Sequence, residues 1–142
     1  MIFVIQRSDI THFQASNLDP LYKNALLSAF KNGVENGLRI SWNENGDKVY
    51  ESTDGGSTLS NISGTNLPNL PVNCIVYQDL TNDDLYIGTD VGVYYKNNSM
   101  SEWVPFNDGL PNVIVRELEI HFTEGTISAA TYGRGVWKSP LS

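Results

Sequence analysis

Apolar and polar residues alternate along this chain in short runs, a pattern that favours β-strands. The runs are rich in β-branched and aromatic residues, and clusters of Gly, Asn, Asp and Pro separate them. Asn45-Gly46, between two such runs, is a strong hairpin signal. The pattern predicts strands at residues 1–6, 10–15, 38–42, 48–52, 59–63, 73–78, 85–89, 93–96, 103–106, 113–121, 126–131 and 136–139.

One segment has helical spacing. Asp19 is a suitable N-cap, Pro20 fits the first helical position, and Gly33 is placed to end the helix. The apolar residues between them recur at a spacing of three to four residues: Leu21, Ala25, Leu26, Ala29 and Phe30. We predict a helix over residues 20–32, within an insertion at residues 19–34 that separates two strands.

The chain repeats itself with a period in the low forties. Val49-Tyr50, Val93-Tyr94 and Val136-Trp137 are spaced by 44 and then 43 residues. Such a period, with four short strands per repeat, is typical of β-propeller blades. We therefore predict an all-β fold, a single partial β-propeller domain with about three four-stranded blades at residues 1–63, 64–106 and 107–142.

The last predicted blade lacks an outer strand, and residues 1–6 are the candidate to supply it. Three blades are fewer than the usual four to eight. An open arc would also leave two apolar blade faces bare. The chain is therefore expected to be a fragment of a larger propeller, a homo-oligomer that closes a ring, or an arc whose bare face is covered by the inserted helix.

The hairpin between residues 49 and 63 carries a family motif. Ser52, Asp54, Gly56 and Thr58 follow the spacing S-x-D-x-G-x-T. This resembles the Asp-box, or bacterial neuraminidase repeat, of sialidases, sortilin-type receptors and xyloglucanase-type glycoside hydrolases, although Leu59 stands where that family usually has Trp. The box is expected to be structural, because its carboxylate binds backbone N–H groups of the turn.

The resemblance also covers the run A-T-Y-G-R-G-V-W at residues 130–137, and it is closest to secreted bacterial propeller proteins. It implies a secreted or cell-surface location. Residues 1–5 are too short for a signal peptide and lack a basic start. If the family is secreted, this chain would be a piece of a longer exported protein.

The amino-acid composition restricts the classes of partner that this chain could bind. With 142 residues the length fits one domain, and the net charge is −7. Nine dispersed Lys and Arg residues disfavour nucleic acid and anionic membranes as partners. No apolar run approaches the length needed for membrane insertion. The single cysteine, Cys74, excludes an internal disulfide and is expected to be a buried small hydrophobe.

Propeller ligands usually bind where the loops between second and third strands meet the loops between blades. Those loops are residues 64–71, 90–92, 107–112 and 132–135. They bring Asp90, Asn107, Asp108, Tyr132 and Arg134 toward one face. Carboxylates, a guanidinium and an aromatic ring suit a polyhydroxyl sugar. The plainer alternative is that the acidic residues serve turns and that Arg134 pairs with a neighbouring blade.

Other chemistry has weaker support. A sialidase needs converging arginines, but the four in this chain occupy unlike positions in the repeats. Arg116 interrupts an apolar alternation, which indicates either a β-bulge or an interior ion pair. His12 and His121 have no partner at a metal-binding spacing, and Asp83 belongs to an acidic turn. We expect no metal and no cofactor.

The function predicted from the sequence is that of a non-catalytic β-propeller module, which binds carbohydrate or protein or acts as a scaffold in a secreted or cell-surface bacterial protein. The alternative is a fragment of a xyloglucanase-like glycoside hydrolase, with Asp90 and Asp108 as the acid/base pair. A protein-binding propeller similar to the sortilins is a third class. Binding without turnover would distinguish the module from the hydrolase.

Overall fold

The computed structural model describes residues 2–4, 36–40, 49–52, 58, 60–78 and 81–142, and in this part of the chain the regular structure is all-β. The chain divides into two compact units, residues 1–63 and 64–142. The predicted helix at 20–32 and the predicted strand at 10–15 lie outside the described residues. The predicted second and third blades both lie in the second unit.

The first unit contains one four-stranded sheet in the order β1-β2-β3-β4. β1 pairs in parallel with β2, whereas β2, β3 and β4 are antiparallel. At the β3–β4 end of the sheet, Val49 is buried and its N–H donates to the Ser63 hydroxyl at 2.9 Å. The strands are β1 (Ile2–Val4), β2 (Asn36–Ile40), β3 (Val49–Ser52) and β4 (Ser60–Asn61).

The pairing of β1 corrects one prediction. Residues 1–6 were expected to complete the last blade, but Ile2–Val4 pairs with β2 at the edge of the first sheet. A strand whose apolar residues are not interrupted by polar ones carries no information about which sheet edge it joins. The prediction was therefore wrong about the partner and right about the strand.

The second unit begins with a four-stranded antiparallel sheet whose strands follow one another in sequence. All four strands match those predicted from alternation, to within two residues at each end. They are β5 (Val72–Gln78), β6 (Asp84–Thr89), β7 (Gly92–Lys96) and β8 (Val104–Pro105). Gly92 has φ of 125°, a value that favours glycine, and its carbonyl accepts a hydrogen bond from the Thr89 hydroxyl at 2.9 Å.

The third sheet has the order β11-β10-β9 and is also antiparallel. Its strands are β9 (Val115–His121), β10 (Thr126–Thr131) and β11 (Gly135–Pro140). Among the described residues no fourth strand pairs with β11.

The core of the second unit lies between its two sheets, because β9 packs on β5 and β6. Gly88 permits this approach: a Cβ atom there would lie 2.5 Å from Cys74 Sγ and 2.7 Å from Val115 Cγ1. The buried residues of this core are Cys74, Tyr86, Val93, Tyr95, Val115, Leu118, Ile127 and Ala129.

The two sheets of the second unit differ in the face that each turns away from the core between them. The second sheet is buried on both faces, since Ile75 and Ile87, which neighbour core residues along their strands, are fully buried too. The third sheet turns a mostly polar face away from the core, where Glu119, Ser128 and Lys138 form one cross-strand row. The expectation of a bare apolar face is therefore wrong for this sheet, because polar side chains on alternate positions let it face water.

Candidate functional site

Three segments of the second unit meet at one end of its sheets. The Asn107 side-chain oxygen accepts a hydrogen bond from the Val93 N–H at 2.6 Å, which ties the linker after β8 to the β6–β7 turn. The Tyr132 N–H donates to the Ile114 carbonyl at 2.8 Å, which ties the same linker to the β10–β11 turn. We call these segments, residues 90–91, 106–114 and 132–134, the loop end.

The linker at residues 64–71, also predicted to join this group, is anchored elsewhere. Its first residues are held where β8 begins, whereas the loop end starts where β8 finishes. The Glu102 carboxylate accepts hydrogen bonds from the Thr65 N–H at 2.8 Å, the Thr65 hydroxyl at 2.8 Å and the Asn66 N–H at 3.2 Å. These bonds hold the pKa of Glu102 below its ordinary value.

Asp90 has a structural partner. Its carboxylate accepts a hydrogen bond from the Asn73 side-chain amide at 2.8 Å, and Asn73 is only 2% exposed. A carboxylate that satisfies a buried amide is committed to the fold, because losing it would leave a buried donor without this acceptor. Asn107 is committed in the same way, through Val93.

Asp108 is exposed, in a turn closed by a hydrogen bond of 2.9 Å from the Leu110 N–H to the Asn107 carbonyl. With Phe106 and Ser139 it lines an open groove of about 290 Å³ between the end of β8 and β11. Of the two carboxylates considered as an acid/base pair, one is therefore bound to an amide and the other is a solvated turn residue.

A β-bulge recurs at the loop end of both sheets. Val72 pairs with Thr89 and Cys74 with Gly88, so Asn73 is the extra residue in β5. The same pairing skips Arg116 in β9, 43 residues later. Of the two interpretations of Arg116, a β-bulge or an interior ion pair, the pairing confirms the bulge. Bulges re-aim side chains, and here both extra residues are directed at the first residue of the adjacent turn.

The two bulge pairs differ in chemistry. In the second sheet Asn73 meets Asp90 in a hydrogen bond. In the third sheet the Arg116 guanidinium lies over the ring of Tyr132, 5.6 Å from its centroid. The first pair is largely buried, whereas Arg116 is exposed and Tyr132 is 68% exposed. At the same position of the repeat, the second sheet therefore has a polar contact shielded from solvent, and the third sheet has an exposed surface with an aromatic ring and a cation.

The turn that carries Tyr132 is well anchored. The Thr131 hydroxyl donates to the Gly135 carbonyl at 2.7 Å, and the Trp137 indole N–H donates to the Arg134 carbonyl at 3.0 Å. Gly133 and Gly135 have φ of 77° and 74°, which the reversal requires. The run T-Y-G-R-G therefore holds Tyr132 and Arg134 on a fixed backbone.

The structure has an exposed turn where the sequence predicted the loop at residues 132–135. Asn73 and Glu102 were not among the predicted site residues, and Arg116 was interpreted only as a bulge or an interior ion pair. The signal for Arg116 and Asn73 was available, because the 43-residue repeat aligns them. Glu102 had no comparable signal, since its partners lie 36 and 37 residues away.

The Asp-box is described only at its margins. Ser52 ends β3 and Thr58 is exposed, whereas Asp54 and Gly56 lie outside the described residues. Its proposed role stays a prediction.

The remaining candidates have local partners. His121 Nε2 lies 2.9 Å from the Ser128 hydroxyl. Asp83 accepts hydrogen bonds from Tyr77, at 2.7 Å, and from Asn98. Among the residues that the structure describes, no three His, Cys, Asp or Glu side chains group as a metal site would require.

The described part of the chain also contains no helix that is both long and apolar enough to cross a membrane. In comparisons with known proteins, no protein-family model and no curated protein matches this chain.

Proposed function

We propose that this chain forms blades of an Asp-box β-propeller and acts as a non-catalytic binding or scaffold module of a secreted or cell-surface bacterial protein. The observation that supports the proposal most is the recurrence of one unit in two consecutive sheets. Both sheets are antiparallel meanders, both have the bulge at the same place in their first strand, and they pack face to face. Stacked repeats of this kind are how propellers bury their apolar faces.

The loop end is the binding surface in this proposal. It combines loops from two repeats and carries Tyr132 and Arg134 on an anchored turn, and the neighbouring Arg116 of β9 lies over the Tyr132 ring. Tyr and Arg are enriched among residues that contribute most to binding. A fixed backbone also reduces the entropy lost when a ligand binds. We take a polysaccharide as the ligand, and a protein partner is the alternative.

Glycoside hydrolysis is the less favoured function. It needs two carboxyl groups placed on either side of the scissile bond. Asp90 instead satisfies the buried Asn73 amide, and Asp108 is a solvated turn residue. Neither environment is one that prepares a carboxyl group for proton transfer.

A depletion assay tests the proposal. The protein is incubated with insoluble polysaccharides, and the supernatant is assayed both for residual protein and for reducing ends. We expect depletion without release of reducing ends. Release that is lost in Asp90→Asn or Asp108→Asn would replace the binding module with a hydrolase. If the protein is instead depleted because it binds a protein partner, and soluble sugar does not compete with this binding, the ligand would be a protein and not a carbohydrate.

The propeller part of the proposal is tested by solution mass. Light scattering that gives a dimer would support two three-blade halves that close one ring. A monomer would oppose ring closure by self-association and would direct the search to a longer parent chain.

A further inference from the structure

The Arg116–Tyr132 pair has chemistry that its counterpart in the second sheet lacks. The Arg116 guanidinium lies over the Tyr132 ring, and among the described residues no hydrogen bond or ion pair engages that guanidinium. The ring lies on one side of the guanidinium and does not engage its N–H donors in a hydrogen bond, and Arg116 is exposed. Those donors are therefore directed to solvent.

A second cation lies on the same turn. Arg134 is two residues from Tyr132, and the hydrogen bond from Trp137 to its carbonyl anchors the backbone that carries it. The chain as a whole has a net charge of −7, with only nine Lys and Arg residues. Arg116 and Arg134 are both exposed, and so is Glu117, the acidic residue next to Arg116 in the sequence.

The two groups recognise different parts of one ligand. The ring of a tyrosine stacks on the apolar C–H face of a sugar. A guanidinium binds a carboxylate through two parallel N–H···O bonds, a geometry that a neutral hydroxyl cannot reproduce. A sugar that carries a carboxylate satisfies both, with its ring against Tyr132 and its charge against Arg116.

We propose that Arg116, Tyr132 and Arg134 bind the uronic acid residues of an anionic polysaccharide. The inference rests on the proposed function, because it names the class of carbohydrate that the loop end takes. The aromatic ring sets the position of the sugar and the arginines select its charge.

Isothermal titration calorimetry with a defined probe tests the inference. The probe is a trimer of galacturonic acid, and its matched control is the same trimer with every carboxylate methyl-esterified. We expect the acid to bind, with an affinity that falls as salt is added, because exposed charges are screened. We expect the ester to bind at least about tenfold more weakly, the loss that follows when a charge-assisted hydrogen bond is removed.

Variants separate the contributions. Arg116→Ala and Tyr132→Ala should each weaken acid binding by about tenfold or more. Tyr132→Phe keeps the ring and should bind as the unmodified chain does. Phe122→Ala removes another exposed aromatic ring, 62% exposed at the opposite turn of the same sheet, and should have no effect. Thermal unfolding of each variant checks that it is folded.

The outcomes of these experiments distinguish a failure of this inference from a failure of the proposed function. Equal binding of the acid and the ester would overturn the charge selectivity and leave a carbohydrate-binding module. Acid binding that survives in both Arg116→Ala and Tyr132→Ala would overturn the site. If the trimer does not bind while another polysaccharide depletes the protein, this inference is wrong and the proposed function stands. If no polysaccharide binds, both this inference and the carbohydrate ligand of the proposed function fail.

Discussion

The Asn107 side chain takes the place of a β-ladder partner for Val93: its oxygen accepts the Val93 N–H at 2.6 Å, and the Phe106 N–H donates to the Val93 carbonyl at 2.8 Å. A residue that the sequence suggested as a ligand contact is thus a structural link between β7 and the linker after β8. Because Val93 belongs to the core, the link fixes where that linker leaves the sheet.

Asn107→Ala should lower the free energy of unfolding by about 1–3 kcal/mol, because it leaves the N–H of a buried residue without an acceptor. Urea unfolding followed by fluorescence measures the change. Asn112→Ala, at an exposed position of the same linker, is the control and should have little effect. Equal stability of the two variants would contradict the structural role of Asn107.

Alanine substitutions of Asp90 and Asp108 should differ in their effect on the free energy of unfolding. Asp90→Ala removes the acceptor of the buried Asn73 amide and should cost about 1–3 kcal/mol. Asp108→Ala changes an exposed turn residue and should stay within about 0.5 kcal/mol. Thermal unfolding measures both. A stable Asp90→Ala variant would return Asp90 to the candidate binding residues.

Gly88→Ala should destabilise the second unit by about 1–3 kcal/mol, because the added methyl group would overlap Cys74 Sγ and Val115 Cγ1 between the two sheets. Combining it with Cys74→Ala removes the nearer of these atoms. The double variant should therefore lose less stability than the sum of the two single variants. Strict additivity in urea unfolding would show that the added methyl group does not meet Cys74.

Glu102 should make stability depend on pH. Hydrogen bonds from the Thr65 N–H, the Thr65 hydroxyl and the Asn66 N–H hold its pKa below the ordinary value of 4.5. A carboxyl group with a lower pKa in the folded state stabilises fully above its unfolded-state pKa, and this contribution is lost as pH falls through the folded-state pKa. Glu102→Gln should therefore be less stable than the unmodified chain at pH 7, and the two should converge in acid.

Unfolding in urea across pH 2 to 7, roughly the range over which carboxyl groups titrate, measures the difference between these two chains. Glu119→Gln removes an exposed carboxylate from β9 and serves as the control. A gap between the unmodified chain and Glu102→Gln that does not narrow below pH 4.5 would contradict the role of the carboxylate charge.

Cys74 should be nearly inert in the folded protein. It is 1% exposed, and burial raises the pKa of its thiol to about 12. Since the thiolate is the reactive form, a disulfide reagent at pH 8 should modify Cys74 only when the two sheets have separated. The same reagent should react at once with the chain in denaturant. Immediate modification of the folded protein would mean that the core between the sheets is open.

Much of the fold follows from local pattern. The β-prone runs and their repeat after 43 to 44 residues predicted β5 at 73–78 and β10 at 126–131, because such runs and repeats can be recognised along the chain itself. The bulge at Arg116 was one of two interpretations, because an arginine inside an apolar alternation is a local anomaly that either a bulge or an interior ion pair explains. Partners for the strands were less accessible: β1 joins the first sheet, a choice that the residues of β1 do not encode.

The residues of the candidate site likewise include some whose position local sequence predicted and some whose environment it did not. The layout of the repeats predicted a loop at residues 132–135, and the structure has an exposed turn there that carries Tyr132 and Arg134. The environment of Asp90 and Asn107 could not be predicted in this way, because their hydrogen bonds join residues 17 and 14 positions apart and depend on strand register. A carboxylate or amide in a loop has the same local sequence whether it faces a ligand or a buried N–H group.

Local pattern along the chain was thus enough to locate the strands and turns of the second and third sheets and to show which residues repeat. Which polar side chains satisfy backbone or buried amide groups, and which stay open to solvent, depended on how the sheets and linkers come together. Periodicity is a property of neighbours along the chain, whereas a hydrogen bond between sheet and linker exists only once register and bulges have placed its two groups within about 3 Å.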